Sequence, residues 1–236
     1  MKDNIFSICL GNNLYNLYGC KNDSIIFYNF LYKLYKNKNL KENWMKPNIL
    51  FNKDVAVDNI NKLINESECI IDKILIFYSG HGYRNKTLNI RDKSINKKKV
   101  AYRHIIKKIN DNLSKDIELY IILDSCYSGK FELLPFDKIK KISLISSTLP
   151  NQKSTESFIS IDQLNLQNDF IKYLDKNSIY NDNIVVGTFT YHFVDILNKL
   201  SVNNLNDFKL VFYDKRFTNI WISIGIIGKQ FPKIIW

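Results

Sequence analysis

The sequence predicts an α/β fold with a mostly parallel central sheet of about six strands and helices on both faces. Three observations carry this prediction. First, Lys73-Ile74-Leu75-Ile76-Phe77-Tyr78 and Leu119-Tyr120-Ile121-Ile122-Leu123 are short apolar runs rich in β-branched and aromatic residues. Each ends in small, turn-forming residues, as buried strands of a parallel sheet do. Second, such runs alternate with stretches of helical apolar spacing, the pattern of βαβ units. Third, 236 residues with 45% apolar and 24% charged residues can bury one full core, so one domain is expected.

In chain order, Ile5 to Leu10 is the first predicted strand, closed by Gly11-Asn12-Asn13. Asp23 or Ser24 is placed to cap the next helix, whose Ile26, Phe27, Phe30, Leu31 and Leu34 recur at helical spacing. Pro47 opens a strand over Asn48 to Phe51, and Asp54 is placed to cap a helix carrying Val57, Ile60, Leu63 and Ile64. The strand ending at Ser79-Gly80-His81-Gly82 follows. Residues 83–99 are polar and basic without clear periodicity. Asn96 to Leu113 then predicts a helix with Tyr102, Ile105, Ile106, Ile109 and Leu113 on one face, and His104 reads as a surface or packing residue. The strand ending at Asp124-Ser125-Cys126 comes next, and Ile139 to Ser146 is a further strand. Residues 155–186 have a weak helical pattern through Leu166, Phe170, Ile171 and Leu174. Gly187 opens a helix with Phe193, Leu197 and Leu200 on one side, Leu205, Phe208 and Phe212 suggest another, and Trp221 to Ile227 reads as a terminal strand.

Net charge is +11, with the basic residues spread along the chain except for Lys97-Lys98-Lys99. Heavy use of Lys, Asn, Ile, Tyr and Phe accounts for that excess, and no basic-aromatic recognition motif is present, so nucleic acid is not an expected partner. Cys9, Cys20, Cys69 and Cys126 form no Cys-x-x-Cys pair, and His81, His104 and His192 are scattered, so no zinc spacing exists. Unpaired thiols, a first apolar run too short for a signal peptide and no apolar stretch near the ~20 residues of a membrane helix predict a cytoplasmic chain without a membrane partner.

Two strand ends carry the chemistry. If their strands are parallel neighbours, His81 and Cys126 share the carboxyl edge of one sheet, where open α/β sheets place ligands. A cysteine or histidine alone is more often a packing or turn residue. The pair in matched contexts points to a thiol nucleophile with a histidine partner. The 45 residues between them leave room for a loop, a helix and a return strand.

Tyr78-Ser79-Gly80-His81-Gly82 and Asp124-Ser125-Cys126-Tyr127-Ser128-Gly129 resemble the caspase-haemoglobinase superfamily, and within it the metacaspases. Gly19-Cys20-Lys21-Asn22-Asp23, Gln152-Lys153-Ser154, Gly187-Thr188-Phe189-Thr190 and Gln230-Phe231-Pro232 resemble further stretches of that family. The resemblance runs from about Ile5 to the end. It implies a caspase-like three-layer sandwich, with a larger half near 1–150, a linker near 151–186 and a smaller half near 187–236. It implies Cys126 as nucleophile, His81 as general base and acid, and the backbone N–H groups of Gly82 and Cys126 as oxyanion donors. It also implies that Asp23, Ser79 and Asp124 line the pocket for the residue before the cut. Two carboxylates in a concave pocket favour Arg or Lys. Lys153, Lys172 and Lys176 are candidate self-cleavage points.

Two departures from the family stand out. Many metacaspases bind calcium in an acidic loop that corresponds to 83–99, where Asp92 is here the one acid among many basic residues, with Glu132 a lone further candidate. A hard cation needs several oxygen ligands, so no cofactor or metal is expected. Tyr127 stands where metacaspases most often have His. The sequence therefore predicts a monomeric cysteine endopeptidase acting on protein or peptide substrates after Arg or Lys. The competing expectation is a catalytically silent caspase-like protein that binds another protease.

Overall fold

The computed structural model describes residues 2–14, 17–67, 71–132, 135–217, 219–221 and 232–235. The first half runs β1 (Asn4–Gly11), α1 (Cys20–Lys36), β2 (Asn43–Trp44), β3 (Asn48–Phe51), α2 (Val57–Asn65), β4 (Lys73–Ser79), β5 (Thr87–Leu88), β6 (Val100–Ala101), α3 (Tyr102–Asn112) and β7 (Ile117–Asp124). The second half runs β8 (Ile139–Ser146), β9 (Glu156–Ser160), α4 (Asn168–Ile171), β10 (Ile179–Tyr180), β11 (Asn183–Gly187), α5 (Thr188–Lys199), α6 (Leu210–Tyr213) and β12 (Lys233–Ile235).

The central sheet has the order β12-β8-β7-β4-β1, with β2 and β3 pairing successive stretches of β1, so the sheet is six positions wide. Every pairing in it is parallel except β12 on β8. Side chains alternate across each strand. Leu75 and Phe77 of β4 enter one core with Phe27 and Phe30 of α1 and Phe189 and Phe193 of α5. Ile74, Ile76 and Tyr78 enter the other, with Ile60 and Ile64 of α2 and Ile105, Ile106 and Ile109 of α3. Stacked rings of Phe27 and Phe77, 4.5 Å apart, anchor the first core. Truncating a ring so buried costs about 3–5 kcal/mol.

Register matters most at one edge. Gly11 pairs with Ser79, and Ser79 pairs with Asp124, so β1, β4 and β7 end side by side. The expected parallel neighbours are in place, and the His81 and Cys126 loops leave the sheet at the same edge. No described helix is long and apolar enough to cross a membrane.

Several local expectations are corrected. Helix α1 begins at Cys20 behind Gly19, so Asp23 lies in its first turn and caps nothing. Helix α2 starts only at Val57, after a 3-10 turn over Asn52–Asp54, and Asp54 does not cap it. Helix α3 begins at Tyr102 because residues before it are diverted: Asn96 stands at φ 50°, Lys97 bridges back to Asp92, and Val100 and Ala101 pair with β5. Residues 155–186 hold a three-stranded antiparallel sheet, β10-β11-β9, which the sequence did not suggest, and the weak helical pattern appears only as the short α4 with Phe170 and Ile171. Helix α5 appears as expected, whereas Leu205 and Phe208 lie in a 3-10 turn that leads into α6. Trp221 is helical, and the rest of the expected strand to Ile227 lies outside the described residues, as do Cys69, Gln230 and Phe231. The described terminal strand is β12.

Candidate active site

The site is built from the ends of β1, β4 and β7 below and from β9 and β11 above. Cys126 lies two residues beyond the end of β7, in a turn and not on the strand itself. It still shares a pocket with Asp124, along with Cys20, Asp23, Ser79, Ser154, Glu156 and Gly187. Cys20 is buried.

The loop carrying His81 meets the Cys126 turn at Gly82. A Cβ added at Gly82 would lie 2.1 Å from the Cys126 carbonyl oxygen, so only glycine permits this approach. The His81 carbonyl accepts from the Asn89 N–H at 3.1 Å and from the Tyr78 hydroxyl at 3.0 Å. Buried Asn12 donates to the Asn89 carbonyl at 2.6 Å, tying the His81 loop to the end of β1. Gly82 bridges Leu88, but the bonds of that bridge belong to the flanking His81 and Tyr83 positions. The Gly82 N–H is thus left out of the ladder.

Cys126 is half-buried. Burial pushes its thiol up, and the charge of Asp124 adds to this, while the Ser154 amide hydrogen bond and Lys153 act the other way. Tyr127 adopts the left-handed region at φ 58°, where a bulky residue is strained. The turn is held by its N–H to the Gln152 carbonyl (2.8 Å) and by Arg84, 5.5 Å above its ring.

Asp23 and Asp124 are both buried, at 1% and 4% exposure. Asp23 accepts from the Ser79 hydroxyl at 2.6 Å and the Gly187 N–H at 2.7 Å. Asp124 accepts from the Ser154 hydroxyl at 2.5 Å and from the Thr190 N–H and hydroxyl at 3.2 and 2.7 Å. A Ser147 hydroxyl bond to Asp124 joins these, and every one of the donors is neutral. A Cβ added at Gly187 would lie 2.3 Å from an Asp124 oxygen and 2.8 Å from an Asp23 oxygen, so both acids converge on one glycine. Burial raises both carboxyls, and for Asp23 the neighbouring Asp124 charge raises it further.

Sequence reasoning anticipated Asp23, Ser79 and Asp124, and the structure brings all three to one pocket. It missed Gly187 as the wall between the acids, Thr190 as a donor and Glu156 as a third carboxylate. Glu156 accepts from the Gly19 and Tyr18 N–H groups at 2.7 and 3.2 Å and so closes β9 against the start of α1. Its signal was faint: one acid two residues after Gln152-Lys153-Ser154.

The basic loop is organised differently. Asp92 is buried and accepts from Ser94, with His104 Nε2 at 2.5 Å and Lys108 Nζ at 3.5 Å. His104 is thus a hydrogen-bond partner of a buried acid, which its place between apolar positions did not reveal. Burial raises the Asp92 carboxyl, but the Ser94 and His104 hydrogen bonds and the Lys108 charge outweigh it and hold it far below the usual range. Exposed Glu132 pairs with Lys86 at 2.6 Å. With Asp92 and Glu132 already engaged, and no cluster of three His, Cys, Asp or Glu groups among the described residues, these side chains do not fit a calcium site.

A chain from Geobacter sulfurreducens has a similar fold, at TM-score 0.57 and 14% identity, covering 98% of this chain and 92% of that one. The structure of pro-sf-caspase-1 is similar at TM-score 0.56 and 12% identity, covering 99% of this chain and 91% of that one. At such identities the likeness shows the fold, and the caspase-like architecture is borne out. No curated protein matches the chain significantly. The family described as the metacaspase, peptidase C14 domain matches residues 7–135, more than half of the sequence, and this chain belongs to that family of cysteine peptidases.

Proposed function

We propose that this metacaspase is a cysteine endopeptidase that cleaves after Arg or Lys, with Cys126 as nucleophile and His81 as proton carrier. The observation that carries the specificity is the pocket beside Cys126. Two buried carboxylates accept there from neutral donors alone, and Glu156 stands at its edge. Uncompensated buried charge is costly. A guanidinium or ammonium group entering the pocket supplies the missing opposite charge, and Arg adds bidentate geometry.

In the reaction, Cys126 Sγ attacks the carbonyl carbon of the basic residue. Its proton passes through His81 to the leaving amine, the C–N bond breaks, and an acyl-thioester forms. Water then attacks the thioester, giving a proton to His81, and the thiolate leaves and takes that proton back. The N–H groups of Gly82 and Cys126 hold the oxyanion, each such donor being worth about 10²-fold or more. The raised thiol suits a mechanism in which the proton leaves the sulfur only as substrate reacts.

The larger half, near 1–150, supplies Asp23, His81, Asp124 and Cys126, and the smaller, near 187–236, supplies Gly187 and Thr190. We therefore take both as one peptidase domain. Lys153, Lys172 and Lys176 are exposed in the connecting stretch, where they remain the candidate self-cleavage points.

The test is hydrolysis of short fluorogenic peptides ending in Arg, Lys or Asp, with and without calcium, by the wild type and Cys126→Ala. The expected result is cleavage after Arg or Lys, unchanged by calcium and absent in the variant. A folded protein that cleaves none of them, yet binds another protease stably, would support the silent binding-partner alternative.

A further inference from the structure

We propose that the outer face of the small sheet, formed by Phe158, Val185 and Tyr180, is a substrate subsite for an apolar or aromatic side chain two residues before the basic one. The proposal rests on the acidic-pocket reading above.

The first argument is exposure. Phe158 is 68% exposed and Tyr180 69%, two of the most exposed large apolar side chains described. Both belong to one face. Val185 lies directly opposite Phe158, Tyr180 pairs with Asn183, and Asn183 pairs with Ser160, two residues from Phe158 along β9. Aromatic surface left open beside a pocket marks a binding face.

The second argument is continuity with the site. Glu156 lines the acidic pocket, and Phe158 lies two residues further along the same strand and face, about 7 Å away. Just before β9, Ser154 bonds the Cys126 sulfur through its amide and Asp124 through its hydroxyl. Strand β9 therefore leads away from the nucleophile, starting at the pocket. Among the described residues it pairs only with β11 and its other edge carries no strand partner, the arrangement to which a peptide can add as a further strand.

A substrate laid antiparallel along that edge, with its reacting carbonyl at Cys126, places its basic side chain beside Glu156. The residue before points to the opposite face, and the one before that returns to the first face, beside Phe158. Beyond Phe158 the polar side chains on this face, Ser160 and Asn183, are uncharged, and the Glu156 carboxylate on its near side is already engaged by the Gly19 and Tyr18 N–H groups, so the surface around Phe158 favours an apolar group over a charged one.

The experiment measures kcat/KM for the peptides Xaa-Ala-Arg with Xaa as Phe, Leu, Ala, Asp or Lys. The wild type, Phe158→Ser and, as a control on an exposed aromatic elsewhere, Tyr213→Ser are compared. The expected wild-type result is a preference for Phe and Leu over Asp and Lys of about tenfold. That ratio should fall to within about twofold in Phe158→Ser and persist in Tyr213→Ser. Efficient cleavage after Arg with no discrimination at Xaa, or discrimination that survives Phe158→Ser, overturns the subsite and leaves the acidic pocket standing. No cleavage after Arg by the wild type overturns both.

Discussion

Three buried aspartates in this protein have opposite fates. Asp92 has no exposed surface, yet it lies just beneath it, and the chain itself supplies two nitrogen partners, His104 and Lys108. Its carboxyl is held far below the ordinary value of 3.8. Asp23 and Asp124 lie deeper, beside each other, with neutral donors, and both are raised above that value. Under the proposed function, the difference separates a structural acid from one that receives a ligand. Where folding supplies the counter-charge, the carboxylate stabilises the fold. Where it does not, the fold bears a cost that an incoming cation relieves.

The largest test of this contrast is a pair of isosteric substitutions. Asp124→Asn should lower kcat/KM for an Arg peptide by about 10²- to 10³-fold and raise thermal stability. Asp92→Asn should lower stability by about 1–3 kcal/mol, since it leaves buried donors without their charged acceptor. For a chain of this size that is roughly 2–4 °C in Tm per kcal/mol. Thermal melts and peptide kinetics on the two purified variants check both arms, and an Asp124→Asn protein less stable than the wild type would erase the contrast.

The pH dependence sharpens it with opposite signs. For Asp23 and Asp124, whose folded pKa values are raised, the folded state holds its proton more tightly than the unfolded chain. Their contribution to stability therefore declines as pH rises from 3.8 toward the raised values. Over the same interval the pocket gains charge, so KM for Arg peptides should fall. For Asp92, whose folded pKa is depressed, stability is present above 3.8 and is lost as pH falls toward the lower value. Melts of wild type, Asp124→Asn and Asp92→Asn across this range should give diverging curves, and parallel curves would contradict the assignment.

A smaller effect is expected at Glu156. This acid is partly exposed and already accepts from two backbone N–H groups, so Glu156→Gln should reduce kcat/KM for Arg peptides by about tenfold, less than Asp124→Asn. A loss as large as that at Asp124 would place the pocket's main charge at the rim, not the floor.

Much of this was readable before the structure. The strands ending at Ser79 and Asp124 declared themselves because parallel strands buried on both faces read as unbroken apolar runs. Their loops carried His81 and Cys126 in order, so half the site followed from two segments. What stayed hidden depends on long-range contact. Asp23 was placed in the pocket by the family resemblance alone; its local pattern read as a helix cap, because its partners, Ser79 and Gly187, lie 56 and 164 residues away. The strands of 155–186 are short and partly exposed, so neither a period of two nor an apolar run marked them. His104 faced its partner across a loop whose turns at Asn96 and Lys97 broke the expected helix.

One measurement tests the central claim most directly. Peptides ending in Arg and in citrulline, its neutral isostere, are compared for hydrolysis by the wild type and by Asp124→Asn. The account predicts that the wild type prefers Arg by at least about 10²-fold and that the preference collapses in Asp124→Asn. Equal hydrolysis of both peptides by the wild type would contradict a pocket built to receive a cation.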